Sequence, residues 1–264
     1  MSATILIPAR FQSSRFPGKP LAEIRGATGI AKPLIRRSVE AARLVDGVDG
    51  VFVVTDDERI ADVCTDFRVG VVMTSPDCRN GTERCAEALA QLHDTDLVIN
   101  FQGDALLTPP AYVEALIERM ERGDCEVATS AVRLRSSQVR SLQQEEAAGR
   151  VGGTTVVADA AGRALYFSKR LIPHLPEHAL DGEMSPVRLH VGVYAYRPEA
   201  LRTYGALEPT ELEQIEGLEQ LRFLAAGISV AVVEVEAPPF ELRELNNPED
   251  VAPIERALAS AGIE

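Results

Sequence analysis

The sequence predicts an α/β fold: a doubly wound, mostly parallel sheet with helices on both faces. Three observations carry this expectation. Short apolar runs alternate with amphipathic helical patterns from residue 4 to residue 132. The first run, Thr4–Ile7, ends abruptly at Pro8 and enters a Gly/Pro-containing loop with Arg10, Arg15 and Lys19. In an open α/β sheet, ligands bind just beyond the carboxyl ends of strands, where such a loop would lie. After about residue 133 the rhythm changes, and a hairpin pattern and a proline-containing stretch replace it.

Each element has its own signal. Thr4–Ile7 is an apolar β run, and Pro33–Leu44 reads as a helix with Pro33 in its first turn. Gly50–Thr55 reads as a strand, Glu58–Asp66 as a helix and Val69–Met73 as a strand. Thr82–Leu92 reads as a helix, Asp96–Phe101 as a strongly apolar strand, Pro110–Arg122 as a helix and Glu126–Val132 as a strand. Beyond these, Thr154–Ala158 and Arg163–Ser168 flank Asp159-Ala160-Ala161-Gly162 in the pattern of a β-hairpin. His190–Tyr196 reads as a strand, Glu211–Ala226 as a helix, Ser229–Val235 as a strand and Pro248–Ala261 as a terminal helix. Residues 171–189 carry three prolines and two histidines and read as a lid or interface loop. No linker or repeat divides the chain. The expectation is one domain, its core built from 1–133 and 190–264, with a smaller inserted α+β subdomain at about 134–189.

The chain's 264 residues suffice for a full core. Its net charge of −13 argues against general binding to nucleic acid or membrane surfaces, which need basic faces. The clustered cations near the N-terminus run against that sign. No run of about 18 apolar residues spans a membrane, and no basic segment precedes a long apolar one as in a secretory signal. A cytoplasmic location is the expectation. Cys64, Cys78, Cys85 and Cys125 lack CxxC spacing, and His93, His174, His178 and His190 lie away from them in sequence. Reduced thiols are therefore expected rather than a zinc site.

Four constellations carry chemistry. Arg10, Arg15 and Lys19 on one short loop suit an anionic ligand, most simply a polyphosphate. The loop is neither a P-loop nor a dinucleotide fingerprint. Asn100-Phe101-Gln102-Gly103-Asp104 ends a buried strand in an acid, placed either to hold Mg²⁺ against phosphates or to serve as a turn or cap residue before Pro109-Pro110. Arg79-Asn80-Gly81-Thr82 precedes a helix whose N-terminus offers free N–H groups. Thr82 serves equally well as a plain N-cap. His190, Gly192, Tyr194 and Tyr196 share one face of a strand, a surface suited to a hydroxylated ligand or a satisfied structural one. Glu219 and Gln220, on the Glu211–Ala226 helical pattern, fit sugar hydroxyls or simply a solvated face. The sequence has no nucleophile elbow, HExxH or GxGxxG, so hydrolase and dehydrogenase readings have little support.

Taken together these segments resemble the 3-deoxy-manno-octulosonate (KDO) cytidylyltransferases, within the sugar nucleotidyltransferases. The matching residues are Ile7-Pro8-Ala9-Arg10, Phe16-Pro17-Gly18-Lys19-Pro20-Leu21, Lys32-Pro33-Leu34-Ile35 and Thr55-Asp56-Asp57. They continue through Gly81-Thr82-Glu83-Arg84, Gln102-Gly103-Asp104, Ala164-Leu165-Tyr166-Phe167-Ser168, the His190–Tyr196 strand, Leu218–Arg222 and Pro248-Glu249-Asp250. The resemblance implies transfer of CMP from CTP to the anomeric hydroxyl of a 2-keto-3-deoxy sugar acid, with release of pyrophosphate. It implies a Mg²⁺ requirement and a homodimer. Arg10, Lys19 and Asp104 would be catalytic. Pro8, Ala9, Arg15, Arg79, Asn80, Gly81, Thr82 and Gln102 would contact the nucleotide. Gln102, Ser168, Lys169, His190, Tyr194, Glu219 and Gln220 would surround the sugar acid. Asp104 would bind the metal together with Asn246.

The chain departs from the family pattern at three places. Asn246 stands where a second metal-binding Asp is usual; an amide oxygen can ligate Mg²⁺ but brings no charge. Asp104-Ala105-Leu106 replaces Asp-Glu-Pro, and Thr155 replaces a Lys. Ala27–Ala31 is inserted between Gly26 and Lys32. These changes leave three possibilities for the acceptor side: KDO itself, an amino- or longer-chain ulosonic acid, or a catalytically weakened nucleotide-binding homologue.

Overall fold

The opening strand lies inside a mixed sheet with a parallel neighbour on each side. The computed structural model describes residues 1–264 apart from 14, 93, 94, 105 and 241–243. Its strands are β1 (Ala3–Ala9), β2 (Glu23–Arg25), β3 (Ala31–Pro33), β4 (Gly50–Thr55), β5 (Gly70–Met73), β6 (Leu97–Phe101), β7 (Val127–Arg135), β8 (Thr155–Ala158), β9 (Ala164–Ser168), β10 (Met184–Tyr196) and β11 (Val230–Val235). Its helices are α1 (Leu34–Ala42), α2 (Glu58–Asp66), α3 (Gly81–Leu89), α4 (Pro110–Glu121), α5 (Ser136–Ala147), α6 (Pro198–Ala206), α7 (Glu211–Glu216), α8 (Leu221–Ala225) and α9 (Val251–Ala261).

The main path runs β11-β7-β10-β6-β1-β4-β5, with β8 attached to β10 and β9 to β8. β1 is parallel to β4 and β6, β4 to β5, and β11 to β7. β10 runs antiparallel to both β6 and β7. The sheet is thus mostly parallel, as the alternating pattern predicts. Because β1, β4 and β6 point the same way, Arg10, Asp56 and Asp104 emerge at one edge.

Side chains alternate between two cores. Ile5, Ile7, Ile99 and Val193 pack with Ile35 and Val39 of α1 and Val113 and Leu116 of α4. Leu6, Val54, Val98 and Tyr196 pack on the other face with Cys85 and Ala88 of α3, Leu201 and Tyr204 of α6, and Phe223 of α8. Burial on both faces is why these strands read as continuous apolar runs. Each fully buried Leu, Ile or Phe stabilises by roughly 1.5–3 kcal/mol relative to its exposed state.

Several boundaries differ from expectation. The helix expected over Glu211–Ala226 is two helices, α7 and α8. Gly217 adopts φ +60 and ψ 43 and ends α7, a left-handed conformation a continuing helix does not tolerate. Residues 171–189 are not all irregular: β10 begins at Met184, and Leu189 and Arg188 pair with both β7 and β8. The helices α5 and α6 and the β2–β3 hairpin are additional. Helix α5 has little apolar periodicity to betray it, since Val139 is its one buried apolar residue. The insertion Ala27–Ala31 turns between β2 and β3, with the Gly29 amide bonded to the Gly26 carbonyl at 2.9 Å. Under the inserted segment a small core of Leu134, Val139, Leu180 and Val187 lies apart from the two large ones. Thr155 is buried in the hairpin, its hydroxyl donating to the Arg170 carbonyl at 2.6 Å. Ala105 lies outside the described residues.

Candidate active site

A cleft of about 280 Å³ opens at the carboxyl ends of β1 and β6. The end of β1 lines it with Pro8 and Ala9, and the loop after it with Arg10, Arg15 and Lys19. The entry to α3 adds Arg79, Asn80 and Gly81; β6 and its loop add Gln102, Gly103 and Asp104. Glu219 and Asn246 close it. The segments meet tightly. A Cβ on Gly103 would lie 2.9 Å from the Pro8 carbonyl oxygen. One on Gly81 would lie 3.2 Å from Pro8 Cγ and 3.3 Å from Gln102 Nε2.

Of the three cations, one is paired with a carboxylate and two are not. Lys19 forms an ion pair with Asp104, bridging the β1 and β6 loops. Arg15 donates from Nη2 to Asn246 Oδ1 at 2.8 Å, a neutral partner. Arg10 is exposed and has no hydrogen-bond or ion-pair partner among the described residues. In a chain of net charge −13, cations outside any ion pair among the described residues at a strand's carboxyl end suit an anionic ligand.

Asn80, not Thr82, is the N-cap of α3: its Oδ1 accepts from the Glu83 amide at 2.8 Å. Thr82 is instead buried, with both its amide and its hydroxyl partnered. Its amide donates to Glu219 Oε2 at 3.2 Å, and its hydroxyl meets the Tyr196 hydroxyl at 3.1 Å. Gln102 Nε2 donates to Glu219 Oε1 at 3.4 Å. Glu219 therefore ties β6 and α3 to the α7–α8 junction. Burial pushes its carboxyl above the ordinary range, and the Thr82 amide pulls the other way.

Behind this junction lies a network that sequence reasoning missed. Arg222 is buried and donates from Nε to Glu213 Oε2 at 2.7 Å and from Nη1 to Glu83 Oε1 at 2.9 Å. Its guanidinium lies 4.2 Å over the Tyr204 ring. Asn80 Nδ2 donates to the Tyr204 hydroxyl at 3.0 Å, so the same cluster holds the α3 entry. An Arg five residues after Gly217 has no distinctive sequence signal.

The expected sugar-acid residues occupy a second surface. On β10, the His190 and Tyr194 rings lie 5.3 Å apart and the Tyr194 and Tyr196 rings 5.8 Å apart. Phe167 meets His190 edge-on at 5.3 Å, and Tyr196 stacks on Phe223. Burial pushes the His190 imidazole down to about 3, which keeps it neutral at physiological pH, and pushes the Tyr194 phenol up. Gly192 brings this strand against the cleft: a Cβ there would lie 3.6 Å from Gln102 Cγ. Ser168, Lys169 and Gln220 do not line the phosphate-side cleft. Ser168 is buried and donates to Glu216 Oε1 at 2.8 Å, and the Lys169 amide donates to Glu216 Oε2 at 3.0 Å. The Lys169 ammonium lies against Gly217. Gln220 is buried, its Nε2 without a partner among the described residues.

Glu244, also missed, lies beside Asn246 and Asp104. Asn246 Nδ2 donates to Glu244 Oε2 at 3.4 Å, and the Leu245 amide donates to the Asp104 carbonyl at 3.3 Å. The cleft walls and the charge of Asp104 push the Glu244 carboxyl up. Asp104, Asn246 and Glu244 are hard oxygen donors, a set that fits Mg²⁺. Among the described residues no three His, Cys, Asp or Glu side chains converge as a ready-made cage. Mg²⁺ takes one or two carboxylates and completes its sphere with phosphate and water.

Among the described residues, no helix is long and apolar enough to cross a membrane. The four cysteines are free thiols.

Comparison with known proteins agrees with this geometry. The cytidylyltransferase family model matches residues 4–232. The 3-deoxy-manno-octulosonate cytidylyltransferase of Maricaulis maris is 42% identical over 265 residues, covering 99% of each chain. The 8-amino-3,8-dideoxy-manno-octulosonate cytidylyltransferase of Shewanella frigidimarina is 41% identical over 265 residues, covering 98% of this chain and 99% of its own. A solved structure of CMP:2-keto-3-deoxy-manno-octonic acid synthetase complexed with CTP superposes with a TM-score of 0.84 at 34% identity, covering 99% of this chain and 100% of that one. Site geometry and full-length similarity converge: the chain belongs to the cytidylyltransferase family, among the 3-deoxy-manno-octulosonate cytidylyltransferases.

Proposed function

We propose that this enzyme transfers CMP from CTP to the anomeric hydroxyl of KDO or a related 2-keto-3-deoxy sugar acid, releasing pyrophosphate. The observation that carries the reading is the pair of cations Arg10 and Arg15, in no ion pair among the described residues, beside the Lys19–Asp104 pair. Arg10 and Lys19 hold the triphosphate and offset the charge that develops on the leaving pyrophosphate. Pro8, Ala9 and the Arg79–Thr82 segment contact the nucleotide, with Gln102 between nucleotide and acid. The wall of His190 and Tyr194, with Glu219, Gln220, Ser168 and Lys169 around it, orients the acid so that its hydroxyl meets the α-phosphorus in line. Asp104 and Asn246, with Glu244 beside them, hold Mg²⁺. When bound, that ion supplies positive charge against the phosphates.

The enzyme acts in the cytoplasm as a homodimer, the segment at about 134–189 forming a subdomain that supplies the contact. Its product is an activated sugar for glycan assembly. A second reading, an amino-substituted acid as acceptor, is favoured by the Shewanella relatives and by the changes at Asn246 and Thr155. The test is pyrophosphate release by purified protein with Mg²⁺, each nucleoside triphosphate and a panel of ulosonic acids. Release with CTP and KDO above all other pairs is the expected result. A higher kcat/KM with the 8-amino acid selects the second reading. CTP binding without release from any pair would overturn both.

A further inference from the structure

The aromatic face of β10 is interrupted where its pairing with β7 jumps from Val191–Ser130 to Tyr194–Thr129. Such bulges re-aim side chains and leave backbone groups to find other partners. Thr129 fills this one. Its Oγ1 lies 2.8 Å from the Val193 carbonyl oxygen, 3.4 Å from the Val191 carbonyl oxygen and 2.9 Å from His190 Nε2. A threonine hydroxyl carries one hydrogen and two acceptor lone pairs. The carbonyls can only accept, so the hydrogen goes to one of them, the shorter contact being to Val193. The contact with His190 is then a hydrogen bond only if Nε2 carries the proton and donates to Oγ1.

We infer that Thr129 fixes His190 as its Nε2–H tautomer, so that the imidazole meets the sugar acid as a hydrogen-bond acceptor at Nδ1. This rests on the reading of the β10 face as the wall of the acid site. Three further features agree. Nδ1 has no hydrogen-bond partner among the described residues. Phe167 and Tyr194 hold the ring from two sides, each at 5.3 Å. Burial disfavours the imidazolium, which would turn Nδ1 into a donor. An acceptor fixed at this point takes a hydroxyl or an ammonium group of the ligand and rejects a group that can only accept. Thr129 touches no substrate in this scheme; it is a positioning residue.

The test is long-range ¹H–¹⁵N NMR of the His190 imidazole in the full-length protein, assigned with His190→Gln. The wild type is expected to show a protonated Nε2 and an unprotonated Nδ1. Thr129→Val is expected to lose that tautomer and to raise KM for the acid about tenfold, the scale of one hydrogen bond, with KM for CTP little changed. Thr129→Ser is expected to restore both. Adding KDO to the wild type without CTP is expected to shift Nδ1. A protonated Nδ1 in the wild type, or an unchanged tautomer in Thr129→Val, would overturn the assignment. If Thr129→Val fails to fold, the wild-type tautomer still decides. An Nε2–H tautomer whose Nδ1 ignores the acid would overturn the substrate-facing role, and would show that the reading of the β10 face, not the lock, is what failed.

Discussion

Replacing Arg222 by methionine keeps the length of the side chain and removes its charge and five donors. Arg222 is 1% exposed, and its partners Glu213 and Glu83 are 9% and 10% exposed. The variant leaves two largely desolvated carboxylates facing an apolar stem. Removing one partner of a buried ion pair typically costs about 3–5 kcal/mol. Glu83 keeps Arg79, whose Nε donates to it at 2.8 Å, and the Glu213 carboxylate keeps weaker bonds from the Tyr204 hydroxyl and the Thr210 amide. The expected loss therefore sits near the lower end, about 3 kcal/mol. A domain of this size loses about 2–4 °C in Tm per kcal/mol, so the expected drop is about 6–12 °C. Thermal and urea unfolding measure it directly. KM for CTP is expected to rise as well, because Glu83 and Asn80 at the α3 entry belong to the same network. Glu213→Gln in the Arg222→Met background is expected to recover part of the stability by removing one orphaned charge. A drop below about 2 °C, with no recovery in the double variant, would refute the view that this cluster fastens α3 to the α7–α8 junction.

The remaining expectations concern pH, phosphate binding and metal. Burial pushes the Glu83 carboxyl up, but the Arg79 amide and the Arg222 and Arg79 guanidiniums outweigh it, and its folded value lies below the ordinary one. Its stabilisation is therefore complete above the ordinary glutamate value of about 4.3 and is lost as pH falls below it. Urea midpoints should decline there in the wild type and less steeply in Arg222→Met; parallel curves would count against it. Arg10→Ala and Lys19→Ala should each cost on the order of 2–4 kcal/mol of transition-state stabilisation, about 30- to 1,000-fold in turnover. Near-native unfolding curves should accompany the loss, and normal pyrophosphate release in both variants would show that the loop is not the phosphate site. Asn246→Asp adds a charged donor beside Asp104 and should tighten Mn²⁺ binding, read by electron paramagnetic resonance without turnover. An unchanged titration would argue against a ligand at position 246.

Much of the fold was legible because burial on both faces makes a parallel strand a short apolar block. Gly50–Thr55 and Glu58–Asp66 have the same limits in sequence and structure. Helix α5 was not legible, because its face is mostly polar and packs on a small satellite core. The break at Gly217 was hidden because apolar spacing continues across it, and only the left-handed backbone of that residue separates α7 from α8.

The site divides in the same way. By itself the sequence determined the cationic loop after β1, the acid at the end of β6 and the aromatic face of β10, because each is a local pattern on one element. Only the tertiary structure decided which of these groups meet. It paired Lys19 with Asp104 across 85 residues, turned Thr82 from a cap into a buried partner of Glu219, and bonded Ser168 to Glu216. It also brought in Arg222, Glu244 and Thr129. Their roles arise from partners distant in sequence, and no spacing along one strand or helix can encode a hydrogen bond whose other half lies on another element.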